Sequence, residues 1–138
     1  MSQIVTHSRS ALTIWGDPIV GRTLVLLLRD SGYKAGLVSS LSSSEPFSLE
    51  DSQLLVLTPT PQLSIEMREA HLALVRKRTR SNNVPVLELV TAFEESRQRR
   101  TRDNLWYTAP WPCRIEELVR WIEGTLSFYY ELRHRSSP

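Results

Sequence analysis

The chain has 138 residues, 41% of them hydrophobic and 23% charged, which suits one folded domain and excludes a disordered tract. Its formal charge of +2 demands no polyanionic partner, no run reaches the roughly 18 apolar residues of a membrane-spanning helix, and residues 1–9 are too polar for a secretory leader. A single cysteine, Cys113, excludes an internal disulfide or a cysteine-based zinc cluster and suits a reducing, cytoplasmic setting, while His7, His71 and His134 are too scattered for a metal site.

Residues 1–9 read as a tail and residues 10–138 as a single domain. The apolar run Ala11 to Trp15 predicts a buried strand. Asp17 and Pro18 then form a helix start, with Asp17 as N-cap and the proline at the first helical position, where its missing N–H costs nothing. The following helix places Val20, Leu24, Leu27 and Leu28 on one face, and Gly32 suits its C-cap. Tyr33 to Val38 reads as a second strand. Ser39 to Ser52 is serine-rich and reads as a loop, because serine competes for helical hydrogen bonds. Leu54 to Leu57 is a continuous apolar strand, as a parallel strand covered on both faces should be.

A helix from about Leu63 to Arg78 follows, with Leu63, Met67, Ala70 and Leu74 as its apolar stripe and Asn82-Asn83 as its end. Val84 to Val90 reads as a fourth strand, Glu94 to Asp103 as a polar helix and Leu105 to Thr108 as a fifth strand. The chain closes in a long helix, about 114–134, whose core stripe is Ile115, Leu118, Val119, Ile122 and Leu126. Strands alternating with helices predict an α/β domain with a parallel sheet and right-handed crossovers.

Four segments in order resemble response-regulator receiver domains. LTIWGDPIVGRTLVLLLRDSGYKAGLV is similar to their opening strand, helix and second strand; SQLLVLTPTP to the third strand and phosphoacceptor; VPVLELVTA to the fourth strand; APWPCRIEELVRWI to the fifth-strand exit and last helix. The resemblance covers about residues 10 to 128. It implies a CheY-like, flavodoxin-like (βα)5 three-layer sandwich of strand order 2-1-3-4-5, with functional residues at the carboxyl ends of the strands. In the family an acidic pair there holds Mg²⁺, an aspartate accepts the phosphoryl group, and a hydroxyl and a lysine respond to it.

Carried over by position, the acidic pair falls on Trp15 and Gly16, with Asp17 at the next acidic position. The phosphoacceptor falls on Thr58 and the lysine on Ala109, followed by the retained Pro110; the hydroxyl is Thr91 if one residue is inserted, and otherwise Val90 holds its place. Mg²⁺ requires hard charged oxygen ligands, and a threonine hydroxyl without a base is a weak nucleophile. The resemblance therefore implies a degenerate pseudo-receiver that binds no Mg²⁺ or other cofactor and is not an enzyme. Trp15 either plugs the former pocket or is a core tryptophan. Asp17 is a helix cap, or a metal ligand under a shifted register. The Ala109–Pro110 bond is the position where the family commonly has a cis peptide.

Glu88, inside an apolar strand, is costly unless paired; it is expected at a partly exposed edge, the alternative being a functional acid. Cys113 precedes a helix and is expected to be inert, although a helix N-terminus can lower a thiol pKa. The run Arg76 to Arg80 suits a helix C-terminus, and Arg97, Arg99, Arg100 and Arg102 are candidate contacts for an anionic partner on what reads first as a solvated face. On the last helix Trp121, Phe128 and Leu132 form a second ridge, flanked by Tyr129 and Tyr130, that the domain core cannot also cover. The expectation is a two-component signalling module acting through a protein partner or as a homodimer by this ridge. The alternative is a small-ligand or anion sensor at the strand ends. Nucleic-acid binding through the arginines ranks third, since no recognition motif accompanies them.

Overall fold

The computed structural model describes residues 10–38, 52–60, 64–91 and 105–136, with side chains to residue 131. The tail at residues 1–9, most of the serine-rich segment, the polar helix at Glu94 to Asp103 with its four arginines, and the Leu132 side chain lie outside the described residues. The elements are β1 (Ala11–Trp15), α1 (Pro18–Asp30), β2 (Lys34–Val38), β3 (Leu54–Leu57), α2 (Ile65–Asn82), β4 (Val86–Val90), β5 (Trp106–Pro110) and α3 (Ile115–Ser136). The five strands form one parallel sheet of order β2-β1-β3-β4-β5. This is the expected order and architecture.

Strand alternation divides the core in two. Leu12, Ile14, Leu54, Val56, Leu87, Leu89 and Ala109 face Leu24, Val25 and Leu28 of α1 and Leu118, Ile122 and Leu126 of α3. On the other face Trp15, Leu55, Leu57 and Val86 pack with Val75 of α2. Helices thus cover both faces, which is why β3 and β4 are buried along their whole length.

The α1 start is as expected: the Asp17 carboxylate accepts the Ile19 N–H at 2.8 Å and Pro18 opens the helix. Its core face, however, is Gly21, Leu24, Val25 and Leu28, with Leu27 turned to solvent. Helix α2 departs further. Ser64 caps it and Asn83 ends it in a left-handed conformation at φ 54°. Its buried positions are His71, Val75 and Thr79, while Met67 is 58% exposed. The i, i+4, i+8 row that meets the sheet carries two polar residues, so apolar periodicity points to the wrong side of this helix.

Two further expectations are corrected. Glu88 is not at a frayed edge: it sits in the middle of β4, 7% exposed, and its carboxylate accepts the Trp106 indole N–H at 2.9 Å. Strand β5 runs on to Pro110, paired with Val90, and the cis bond among the described residues is Trp111–Pro112, not Ala109–Pro110. No helix among the described residues is long and apolar enough to cross a membrane.

Candidate functional site

The carboxyl ends of β1 and β3 meet at Gly16, Asp17 and Thr58. Gly16 has φ +136°, a value that favours glycine, and a Cβ there would collide with the Thr58 hydroxyl. That close approach lets the Asp17 backbone N–H donate to Thr58 Oγ1 at 2.7 Å. The Thr58 N–H donates to the Trp15 carbonyl at 2.9 Å, and the hydroxyl itself donates to the Pro59 carbonyl at 3.3 Å. Thr58 is buried and thus clasps two strand ends together.

Trp15 belongs to the core beneath α2, where its ring stands perpendicular to the His71 ring at 5.0 Å between centroids. Ala109 also faces the core, among the residues under α1 and α3. Thr91 follows β4 directly and is half-buried, and Pro110 is exposed.

These residues do not fit a magnesium ion. Of the three positions at the end of β1 that could hold one, two are an indole in the core and a glycine; the third, Asp17, spends a carboxylate oxygen on capping α1. No group of three or more His, Cys, Asp or Glu that could hold a metal occurs among the described residues.

A small polar cavity of about 10 Å³ lies beside Thr58, lined also by Thr60, Arg68, His71 and Glu88. Its size matches one water molecule and no larger ligand. The Arg68 guanidinium donates to the Thr60 carbonyl at 3.3 Å. His71 is 6% exposed, neither ring nitrogen has a hydrogen-bond partner among the described residues, and burial pushes its pKa down. The sequence marks His71 only as one of three scattered histidines, since a lone His on a helix carries no motif. Only its place opposite a strand-end tryptophan marks it.

The second candidate region is the outer side of α3 beside the edge strand β5. Trp121 is 44% and Phe128 54% exposed, and the Phe128 ring meets Tyr107 edge-on at 6.0 Å. With Glu117, Arg120, Gly124 and Thr125 they line a groove of about 460 Å³. The expected ridge is narrower than the sequence suggested. Tyr129 is buried and its hydroxyl donates to the Asn83 carbonyl at 3.1 Å; the half-buried Tyr130 donates to the Gln53 carbonyl at 3.0 Å. The tyrosines fasten the end of α3 to the C-cap of α2 and to the residue before β3, and leave Trp121 and Phe128 as the outward pair.

A smaller apolar recess of about 200 Å³ lies between α1 and the start of α3, lined by Ile19, Leu27, Trp111, Cys113 and Ile115 among others. Burial, and then the Glu117 carboxylate, push the Cys113 thiol pKa up, the reverse of an activated thiol. The basic run ending α2 is not one free face: the Arg76 guanidinium lies 5.1 Å over the Trp106 ring.

No protein-family model matches the chain, and no curated protein matches its sequence. Solved structures do match its fold. A response regulator receiver domain protein from Clostridium thermocellum superposes with a TM-score of 0.66 at 11% identity, covering 90% of this chain and 99% of that one. A response regulator receiver protein from Burkholderia phymatum gives 0.58 at 17% identity, covering 86% and 96%. NtrX from Brucella abortus, in a complex with ATP, gives 0.65 at 16% identity over 92% of this chain, which spans only 28% of that protein. The chain therefore has the fold of response-regulator receiver domains.

Proposed function

We propose that this chain is a receiver-fold signalling module that works by protein–protein contact, without phosphoryl transfer, enzymatic turnover or a bound cofactor. The observation that supports this reading is the clasp at the strand ends. The hydroxyl at the phosphoacceptor position accepts the Asp17 N–H at 2.7 Å, and the two positions before Asp17, where the family has its acidic pair, are Trp15 and Gly16. A nucleophile for phosphoryl transfer needs a base and a counter-ion for the incoming charge. Thr58 has a structural partner instead, and the fifth strand brings Ala109 into the core where the family offers a lysine.

The working surface in this reading is the α3–β5 groove with Trp121 and Phe128, since exposed aromatics of this size dominate interface energetics. The water-sized cavity at Thr58 gives no support to a small-ligand sensor. A cytoplasmic location remains part of the proposal, in keeping with one half-buried free thiol.

The test is nuclear magnetic resonance of the labelled chain titrated with Mg²⁺ and beryllofluoride. The reading predicts amide shifts at Gly16, Asp17 and Thr58 no larger than those produced by the same ionic strength of sodium chloride. Saturable shifts at those amides would refute it.

A further inference from the structure

We infer that the N-terminal half of α2 is an acid-released flap: protonation of His71 unseats this half of the helix from the sheet while the C-terminal half stays in place.

Helix α2 is held unevenly. From Ser64 to Ala70 no side chain is buried and only Arg68 is half-buried. Ile65 and Met67 stand 56% and 58% exposed. His71 is therefore the one buried side chain from Ile65 to His71, the first two turns of an 18-residue helix. The C-terminal half has fastenings of its own. Val75 is buried in the core beneath the helix, and the Arg76 guanidinium lies over the Trp106 ring. Asn83 ends the helix in a left-handed conformation, and its carbonyl accepts the Tyr129 hydroxyl at 3.1 Å. The Val84 N–H donates to the Thr79 carbonyl at 3.1 Å. A helix anchored at one end and seated by one side chain at the other opens from the seated end, where the fewest buried contacts are broken.

That single seat is ionisable. His71 is 6% exposed, meets the Trp15 ring edge-on, and has no hydrogen-bond partner at either ring nitrogen among the described residues. A neutral imidazole leaves one N–H without an acceptor there; an imidazolium leaves two, together with a charge. The ionisable groups that share its cavity are Arg68, on α2 itself, and Glu88, on β4. The segment after β3 contributes the Thr58 and Thr60 hydroxyls, and β1 the Trp15 indole. The guanidinium opposes a second cation. The Glu88 side chain accepts the Trp106 indole N–H and makes no hydrogen bond to His71. Water reached by opening solvates both N–H groups, so the proton binds the open state first. Burial lowers the pKa of the seated ring, in keeping with this. Opening uncovers Trp15 and the cavity beside Thr58, on the sheet face opposite α3.

The test is hydrogen exchange of the full chain, read by residue at about pH 7.5 and about pH 5.5 and corrected for the intrinsic rate, with circular dichroism to verify folding. At the higher pH the amides from Glu69 to Ala73 should be at least about tenfold less protected than those from Lys77 to Asn82, and their opening should be insensitive to low denaturant. At the lower pH the Glu69 to Ala73 amides should lose up to about a further tenfold, the limit for a ring of ordinary pKa 6.5 when open that stays unprotonated when seated. His71→Phe should abolish that loss, and His71→Leu repeats the test without an aromatic ring. Glu88→Gln should retain it. Equal protection along the whole helix, no loss at the lower pH, a loss that persists in both His71 variants, or one that vanishes in Glu88→Gln would each overturn the inference.

Discussion

The Asp17 backbone N–H donates to the Thr58 hydroxyl at 2.7 Å across the ends of two neighbouring strands. This one bond ties the ends of β1 and β3 together. The glycine between Trp15 and Asp17 makes it possible, since a side chain there would occupy the space of the hydroxyl.

Removing the clasp while keeping its shape tests it. Thr58→Val leaves the Asp17 N–H without its acceptor and should destabilise the fold by about 1–3 kcal/mol in a denaturant titration. Gly16→Ala adds both the collision with Thr58 and the strain of a positive φ, and should cost at least as much. In the double variant Gly16→Ala/Thr58→Ala, the collision is relieved and the strain remains, so the costs should be less than additive.

Asp17 separates a capping role from a metal role. Asp17→Ala should lose about 1 kcal/mol of stability with the α1 cap, and Asp17→Asn should lose far less. Neither change should alter the response of the chain to Mg²⁺. A magnesium-dependent rise in melting temperature present in the wild type and absent in Asp17→Asn would contradict the structural role.

His71 predicts a pH dependence. Burial depresses its folded-state pKa below the ordinary value of 6.5, while the unfolded chain keeps that value. Below about pH 6.5 the unfolded state binds the proton and the folded state does not. This group's contribution to stability is therefore intact above pH 6.5 and declines as pH falls from there towards the depressed folded value. His71→Phe keeps a ring against Trp15 and should flatten that part of the stability profile relative to wild type. Parallel profiles for the two proteins between pH 7.5 and about 5 would contradict the assignment.

Buried Glu88 and half-buried Trp106 form a pair across two neighbouring strands. Trp106→Phe removes the indole N–H from the Glu88 side chain and should cost about 1–3 kcal/mol, because it leaves a buried acceptor without its partner. Glu88→Gln keeps an acceptor for the indole and should cost less.

Much of this arrangement is legible in the sequence where a residue's type and its burial agree. Leu54 to Leu57 reads as a central strand because a parallel strand is covered on both faces, and Asp17-Pro18 reads as a helix start because both residues solve the same orphan N–H problem. The α2 face is not legible, because His71 and Thr79 are polar residues in core positions; Thr79 satisfies its hydroxyl by donating to the Val75 carbonyl at 2.9 Å. The end of β5 is ambiguous in the string APWP, where two prolines compete for the strand exit and only pairing with Val90 decides. Tyr129 and Tyr130 read as part of an exposed ridge because helical periodicity says nothing of the backbone carbonyls, Asn83 and Gln53, that lie within reach of their hydroxyls.

The most direct test of a module without phosphoryl chemistry is the intact mass of the purified chain after incubation with acetyl phosphate and Mg²⁺. The account predicts an unchanged mass. A stoichiometric phosphoryl adduct that is lost in Thr58→Val would contradict it.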